Sequence, residues 1–367
     1  LKAPQRVAAV AAKEFRQLSR DRVTFGMVVM IPLIQLLLFG YAINSVVRNI
    51  PVALVDLSGS ATARAVAEQV RVTQVVEFTE QFDTPAAAGN AIVAGRIRAA
   101  LVLPQDLVRR AASGEPLGQW LVDGSDTLVS AAFLPLRNMP VQVGAPEATG
   151  VYQGSPSFEV ALFFNPERRS AVNIVPGLTA IILTMTMILF TSIALVRERE
   201  RGNMELLITT PIRPLELMVG KLLPYILVGL VQITIILGLG RLVFNVPFQG
   251  EFPSLAVVTL AFIAASLTLG LLISTIAMTQ MQAMQLTVFI LMPSILLSGF
   301  MFPFEAMPRA AQFISELLPA THFMRLIRGV FLRGAQASQL LPDLLWLLGF
   351  TAVVLGITTR RFRKSLD

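Results

Sequence analysis

Residues 174–201 read IVPGLTAIILTMTMILFTSIALVRERER. The stretch up to Val196 carries no charge, and the five residues after it alternate in sign. About 20 apolar residues at 1.5 Å each cross a hydrocarbon core of about 30 Å. The stretch therefore predicts a membrane span closed by a charged collar. The same test applied outward finds the rest. Between Arg22 and Arg48 lie 25 uncharged residues, between Arg169 and Arg197 lie 27, and between Lys221 and Arg241 lie 19. From Glu251 to Glu305 there are 53, roughly 80 Å as one helix, which is too long for a single crossing. The polar cluster Thr279, Gln280, Gln282 and Gln285 predicts a turn that divides it into spans near 255–278 and 283–302. A last span is expected over 341–358, before RRFRK. The result is a polytopic α-helical membrane protein with six transmembrane helices.

Composition agrees. The chain has 367 residues, 54% hydrophobic and 14% charged, with a mean hydropathy of +0.68. Soluble domains carry about 25% charged residues. An ordinary cytosolic enzyme and a disordered chain are both excluded. The first apolar run, residues 23–47, is followed by no small-residue cleavage pattern and reads as a span, not a signal peptide. The net charge of +7 would suit a nucleic-acid binder, but its distribution fits topology better. Segments 1–22, 197–221 and 360–367 together hold 15 cations against seven acids, and the rest of the chain holds 15 against 16. The positive-inside rule puts those three segments, and both termini, in the cytoplasm.

Residues 48–170 then lie outside. Strands are expected at 52–56, 74–79, 99–104, 119–125 and 157–164, with helices at 60–70, 84–97, 105–113 and 126–139. This alternation predicts an inserted periplasmic α/β domain. Its turn Asp123–Gly124–Ser125–Asp126 lacks the further carboxylates of a calcium loop and reads as a plain turn. Cysteine is absent, and the lone His322 reads as an interfacial polar residue, so no metal site and no catalytic residue are expected. The six spans are read as free of Asp, Glu, Lys, Arg and His, which opposes a gradient-driven transporter. There is no G-x-x-x-x-G-K-[ST] phosphate loop, so uphill transport would need energy from another subunit.

Two cytoplasmic elements offer docking surfaces. In residues 1–22, Val7, Ala11, Phe15 and Leu18 share one helical face while Lys13, Arg16 and Arg20 share another, as in an interfacial helix. In 197–221, the collar Arg197, Glu198, Arg199, Glu200, Arg201 is followed by Gly202. A short apolar run around Met204 and Leu206–Ile208 comes next, broken by Pro211 and Pro214. That pattern describes a knob projecting from the membrane; a collar that merely snorkels at the membrane face fits it equally well.

RERERGNMELLITTPIRPLELMVGKLLPY (197–225) resembles the signature of ABC-2 type permeases, the membrane subunits of one class of ATP-driven exporter. FGYAI (39–43), LVDGSDTLVSAAF (121–133), FFNPERRSAVNIVPGL (163–178), GLLISTIAMTQMQAMQ (270–285) and residues 293–334 are similar as well. The whole chain most resembles the bacterial multidrug-efflux subgroup with a large periplasmic domain between the first two spans. One departure is Asn203, where the family pattern has Thr; both residues cap helices.

The resemblance implies that Arg197, Glu198, Arg199, Glu200, Arg201, Gly202, Met204, Glu205 and Pro211 contact an ABC ATPase, with the elbow helix carrying Lys13, Phe15, Arg16 and Arg20. It implies outer re-entrant helices over 303–333, a second permease (identical or paralogous) and a periplasmic adaptor. It also implies that ATP and Mg are bound by the partner ATPase and that this chain binds no cofactor. The location implied is the bacterial inner membrane. Met185, Met187, Phe190, Phe289 and Met292 are candidates for a path for amphipathic cargo, with ordinary helix packing an equal reading. Alternatives left open are a permease for lipid-linked glycans or another envelope component, and a receptor or anchor with an outer sensing domain.

Overall fold

The computed structural model describes residues 47–143, 150–151, 157–200 and 214–364. The expected elbow helix, and all of the span at 23–47 but its last residue, lie outside the described residues.

An α/β sheet domain comes first. Strands β1 (Ile50–Asp56), β2 (Val76–Gln81) and β3 (Ala99–Leu103) alternate with helices α1 (Ala61–Val72) and α2 (Pro85–Val93). Helix α3 (Leu107–Ser113), strand β4 (Gly118–Asp123) and helix α4 (Thr127–Ala131) follow, then the short pair β5 (Gln142–Val143) and β6 (Gly150–Val151). Strand β7 (Phe158–Phe163) completes a sheet of order β2-β1-β3-β4-β7. In this sheet the β1–β2, β1–β3 and β4–β7 pairs are parallel and β3–β4 is antiparallel; the separate β5–β6 pair is antiparallel too.

Local chemistry sets the helix ends. Ser60 Oγ accepts from Ala63 N at 3.0 Å and Thr84 Oγ1 from Ala87 N at 3.2 Å, both as N-caps. Helix α2, expected to reach residue 97, stops four residues earlier because Gly95 takes a left-handed φ of 73°. Period-2 alternation gives the sheet two apolar faces. Ile50, Val52, Leu101 and Trp120 pack with α1, α3 and α4, whereas Ala53, Val55, Ala100 and Leu121 pack with α2.

The second body is helical: α5 (Ser170–Glu200), α6 (Pro214–Phe244), α7 (Phe252–Ile276), α8 (Gln280–Leu297), α9 (Arg309–Glu316), α10 (Pro319–Phe331) and α11 (Leu341–Lys364). Five helices among the described residues are long and apolar enough to cross a membrane: α5, α6, α7, α8 and α11. On α6, Leu223, Leu227, Val231, Ile235 and Leu239 recur every fourth residue and are all exposed. Such a ridge suits lipid and not water. The polar cluster at 279–285 does mark the α7–α8 turn, where Thr279 caps α8 by accepting from Gln282 N at 3.2 Å.

Buried hydroxyls bond back along their own helices. Thr179, Thr184 and Thr287 donate to the carbonyls four residues earlier at 2.9, 2.7 and 2.8 Å. The expectation of spans free of ionisable groups fails at Asp343, which sits in the first turn of α11. Its neighbours, described below, account for it. Helix α10 is buried almost throughout, with Phe323 stacked on Phe262 of α7 at 4.0 Å.

Close approach of α5 and α7 depends on Gly270, where an added Cβ would lie 2.8 Å from the Ile188 carbonyl oxygen. A backbone atom cannot yield as a side chain does. Gly270→Leu is expected to destabilise the bundle by about 1–3 kcal/mol or more. Gly238→Leu, on α6 with nothing within 4 Å of a Cβ, should leave stability unchanged. Thermal melts in detergent would compare the two.

Candidate functional site: the collar and the charged joint

Helix α5 begins seven residues after β7 and runs about 45 Å. It therefore carries two polar sites at opposite ends of the helical body. At its far end is the collar. Arg197 Nε donates to Gln280 Oε1 at 3.4 Å, and Arg199 Nη1 to the Ala277 carbonyl at 3.2 Å. Glu200 Oε1 accepts from the Gln280 backbone N–H at 2.9 Å, and its other oxygen from the Gln280 side-chain amide. Met278 N donates to Gln282 Oε1 at 2.8 Å and tightens the same turn. Three of the four described collar residues are thus fastened to the α7–α8 turn, and Glu198 also has a polar partner. Arg201, Gly202, Met204, Glu205 and Pro211 lie outside the described residues, as do Lys13, Phe15, Arg16 and Arg20.

The five candidate path residues do not share one surface. Met187 is fully buried against Leu222, Ile263 and Leu267. Met185 and Phe190 are 45% and 42% exposed, the latter with its ring 6.4 Å from that of Tyr225. Phe289 and Met292 are half-buried on α8.

The second site joins the sheet domain to the helices. Arg328 of α10 donates through Nη1 to Asp126 Oδ2 at 3.1 Å and through Nη2 to Asn173 Oδ1, in the first turn of α5. Arg333 Nη1 donates to Asp123 Oδ2 at 3.2 Å. Both ion pairs are buried, with side-chain exposures of 5% and 3% for the first and 3% and 1% for the second. From the sheet side, Arg98 Nε donates to Glu305 Oε1 at 2.7 Å, and its Nη1 lies 3.5 Å from Asp123.

The Asp123–Asp126 turn is held by its own side chains. Asp123 Oδ1 accepts from Ser125 N, and Asp126 Oδ1 caps α4 at Leu128 N, both at 3.0 Å. Each carboxylate then offers its second oxygen to an arginine, Asp126 to Arg328 on α10 and Asp123 to Arg333 just after it. Burial opposes ionisation of Asp123, but Arg333 and Arg98 beside it hold its carboxyl below the usual range. Glu305 is also held low: burial opposes, and Arg98 overrides it.

A neighbouring cluster explains Asp343. His322 is buried and stacks on Trp346 at 3.9 Å. Its Nε2 is 3.0 Å from the Glu316 carbonyl, which only accepts, so that nitrogen carries hydrogen. Its Nδ1 is 2.6 Å from Asp343 Oδ1, a contact that needs one proton on either partner. Arg325 bonds Glu316 and reaches Asp343 at 3.4 Å. His322, Arg325 and Arg328 recur every third residue on a helix that is apolar elsewhere but for Thr321. That spacing was the available signal, because buried charges need partners.

The ABC-2 family transporter protein family matches residues 22–360. The chain belongs to the ABC-2 transporter family. It is 29% identical over 371 aligned residues to "Probable multidrug ABC transporter permease YbhS" of Escherichia coli K12, covering 99% of this chain and 98% of that one. To "Probable multidrug ABC transporter permease YbhR" of the same strain it is 27% identical, covering 98% and 99%. To "Inner membrane transport permease YhhJ" it is 33% identical over 217 residues, covering 57% and 56%. Membership makes this ABC-2 chain a membrane subunit of a type that works with an ABC ATPase.

Asp126→Asn keeps the cap on α4 but takes from the buried Arg328 the carboxylate it is bonded to. A loss of about 3 kcal/mol is expected, with part recovered in the double variant carrying Arg328→Met. Because the Asp123 carboxyl is depressed in the folded state, its contribution is complete above about pH 4 and is lost as pH falls through the lowered value. Limited proteolysis of the sheet domain should therefore stay unchanged from neutral pH to about pH 5 and accelerate only in stronger acid.

Proposed function

We propose that this ABC-2 chain is the permease subunit of an ATP-driven exporter that moves amphipathic compounds out across the bacterial inner membrane. Full-length similarity to two proteins named probable multidrug ABC transporter permeases supports the cargo class. The observation that carries the mechanism is the clamp between Arg197, Arg199 and Glu200 and the α7–α8 turn. A separate ATPase docks on the knob at 197–221 together with the elbow helix at 1–22. Its closure on ATP shifts the knob, and the collar passes that displacement to α5, α7 and α8 together. Two permeases enclose the path between them.

In this reading both termini and the collar are cytoplasmic, and residues 48–170 are periplasmic, where an adaptor protein has access to them. The charge distribution supports that orientation. ATP and Mg stay on the partner. The sheet domain also favours efflux over a permease for lipid-linked glycans, which resembles this subgroup without such an insertion.

Co-purification with the cognate ATPase, followed by ATPase assays against a panel of amphipathic compounds, tests the assignment. Arg201→Ala and Glu205→Ala should abolish transport-coupled stimulation without unfolding the protein. Gln280→Ala, which removes the amide shared by Arg197 and Glu200, should cut stimulation about tenfold, as expected for lost hydrogen bonds to charged groups. Normal coupling in all three variants would remove the docking assignment.

A further inference from the structure

The charged joint encloses a cavity of about 280 Å3. That is far above the ~15 Å3 that admits one water, and it approaches the ~300 Å3 at which small-molecule sites begin. Four arginines line it: Arg98, Arg325, Arg328 and Arg333. Three acids face them: Asp126, Glu305 and Asp343. The ion pairs described above leave part of this hydrogen-bonding capacity unused. Among the described residues, Arg328 Nε, Arg333 Nε, Ser298 Oγ and Glu305 Oε2 are buried and have no hydrogen-bond partner. Buried polar atoms are partnered in over about 90% of cases, so four orphans on residues that line one cavity mark hydrogen-bonding capacity that an occupant takes up when these side chains turn toward it.

The orphans specify its chemistry. Two guanidinium N–H groups and a hydroxyl ask for acceptor oxygens, best on an oxyanion. The free oxygen of Glu305 asks for a donor, best an ammonium that keeps N–H groups. Position narrows the choice further. Ser298 directly follows α8, while Leu340 and Asp343 mark the start of α11, so two membrane-length helices end at the cavity wall. The cavity therefore lies at the level of a membrane surface, where polar headgroups sit. We infer that the joint cavity binds a zwitterionic group of the phosphoethanolamine type, a primary ammonium linked by a short chain to an oxyanion. The oxyanion faces Arg328 and Arg333, and the ammonium faces Glu305. This site is independent of the export reading, because it rests on the joint and not on the collar.

The test uses the full-length protein purified in detergent, with O-phosphoethanolamine as probe and phosphocholine and inorganic phosphate as comparators in calorimetric titrations. Phosphocholine keeps both charges but its quaternary nitrogen has no N–H to give Glu305. Phosphoethanolamine should bind about tenfold more tightly than phosphocholine, the scale of a hydrogen bond to a charged group. Glu305→Gln should erase that preference and retain phosphate binding. Ala94→Leu puts bulk into the cavity and replaces no charged group, so it should remove binding of all three probes. It also decides the matter if Glu305→Gln does not fold. A parallel arm measures melting in phosphatidylethanolamine and phosphatidylcholine nanodiscs. Stabilisation by the former alone, lost in Ala94→Leu, identifies a lipid headgroup; binding confined to the free compound identifies a soluble ligand. Equal affinity for phosphoethanolamine and phosphocholine, binding unaltered by Ala94→Leu, or no binding in either arm would overturn the inference.

Discussion

A guanidinium buried between two bodies of a protein must meet a carboxylate there, because an unpaired charge in that setting costs several kcal/mol. Arg328 and Arg333 impose this condition on the whole chain. They lie on and just after α10, which is enclosed by the helical bundle, and their partners Asp126 and Asp123 lie on the sheet domain. The sheet can therefore sit in one place only, with the β4–α4 turn over α10. Gly95 makes room for it: a Cβ there would lie 2.8 Å from an Arg333 nitrogen. Replacing such pairs by apolar groups is often neutral for stability. Their contribution here is register, since a sheet domain slipped by one turn would leave two arginines and two aspartates unmatched.

Much of this architecture was legible from local pattern. Uncharged runs located α5, α6, α7 and α8, and high hydropathy located α11, because a span must be apolar over a fixed length. The sheet domain's strands and helices followed from the alternation of their apolar patterns along the chain. Strand order was not legible. The antiparallel β3–β4 pair depends on how the 14 residues between Leu103 and Gly118 return, which no local pattern encodes. The joint was hidden for a related reason. Asp126 and Arg328 are 202 residues apart, and Asp123 and Arg333 are 210 apart. Each side looks ordinary alone, as a turn or as scattered arginines on a short helix. Asp343 shows the opposite failure: hydropathy averaged over a span conceals one acid in its first turn, and His322 and Arg325 keep it there.

Helix α5 connects these two levels of organisation. Its first turn holds Asn173 against Arg328, and its last residue, Glu200, holds the α7–α8 turn. Between them, the Gly270 contact on Ile188 and the Gly177 contact on Phe300 leave no slack against α7 or the segment after α8. Pro176 leaves out one ladder hydrogen bond in the second turn of α5, but from there to Glu200 the helix is uninterrupted and stiff along its axis, so an axial shift at the collar is carried up to that turn unless those contacts break. The side chains along it cannot absorb the movement, because close-packed interiors repack between discrete arrangements and do not deform smoothly. The charged joint is therefore mechanically in series with the collar. Any motion driven from the collar reaches α10, the sheet domain and the cavity between them through α5, with Asn173 as the last link.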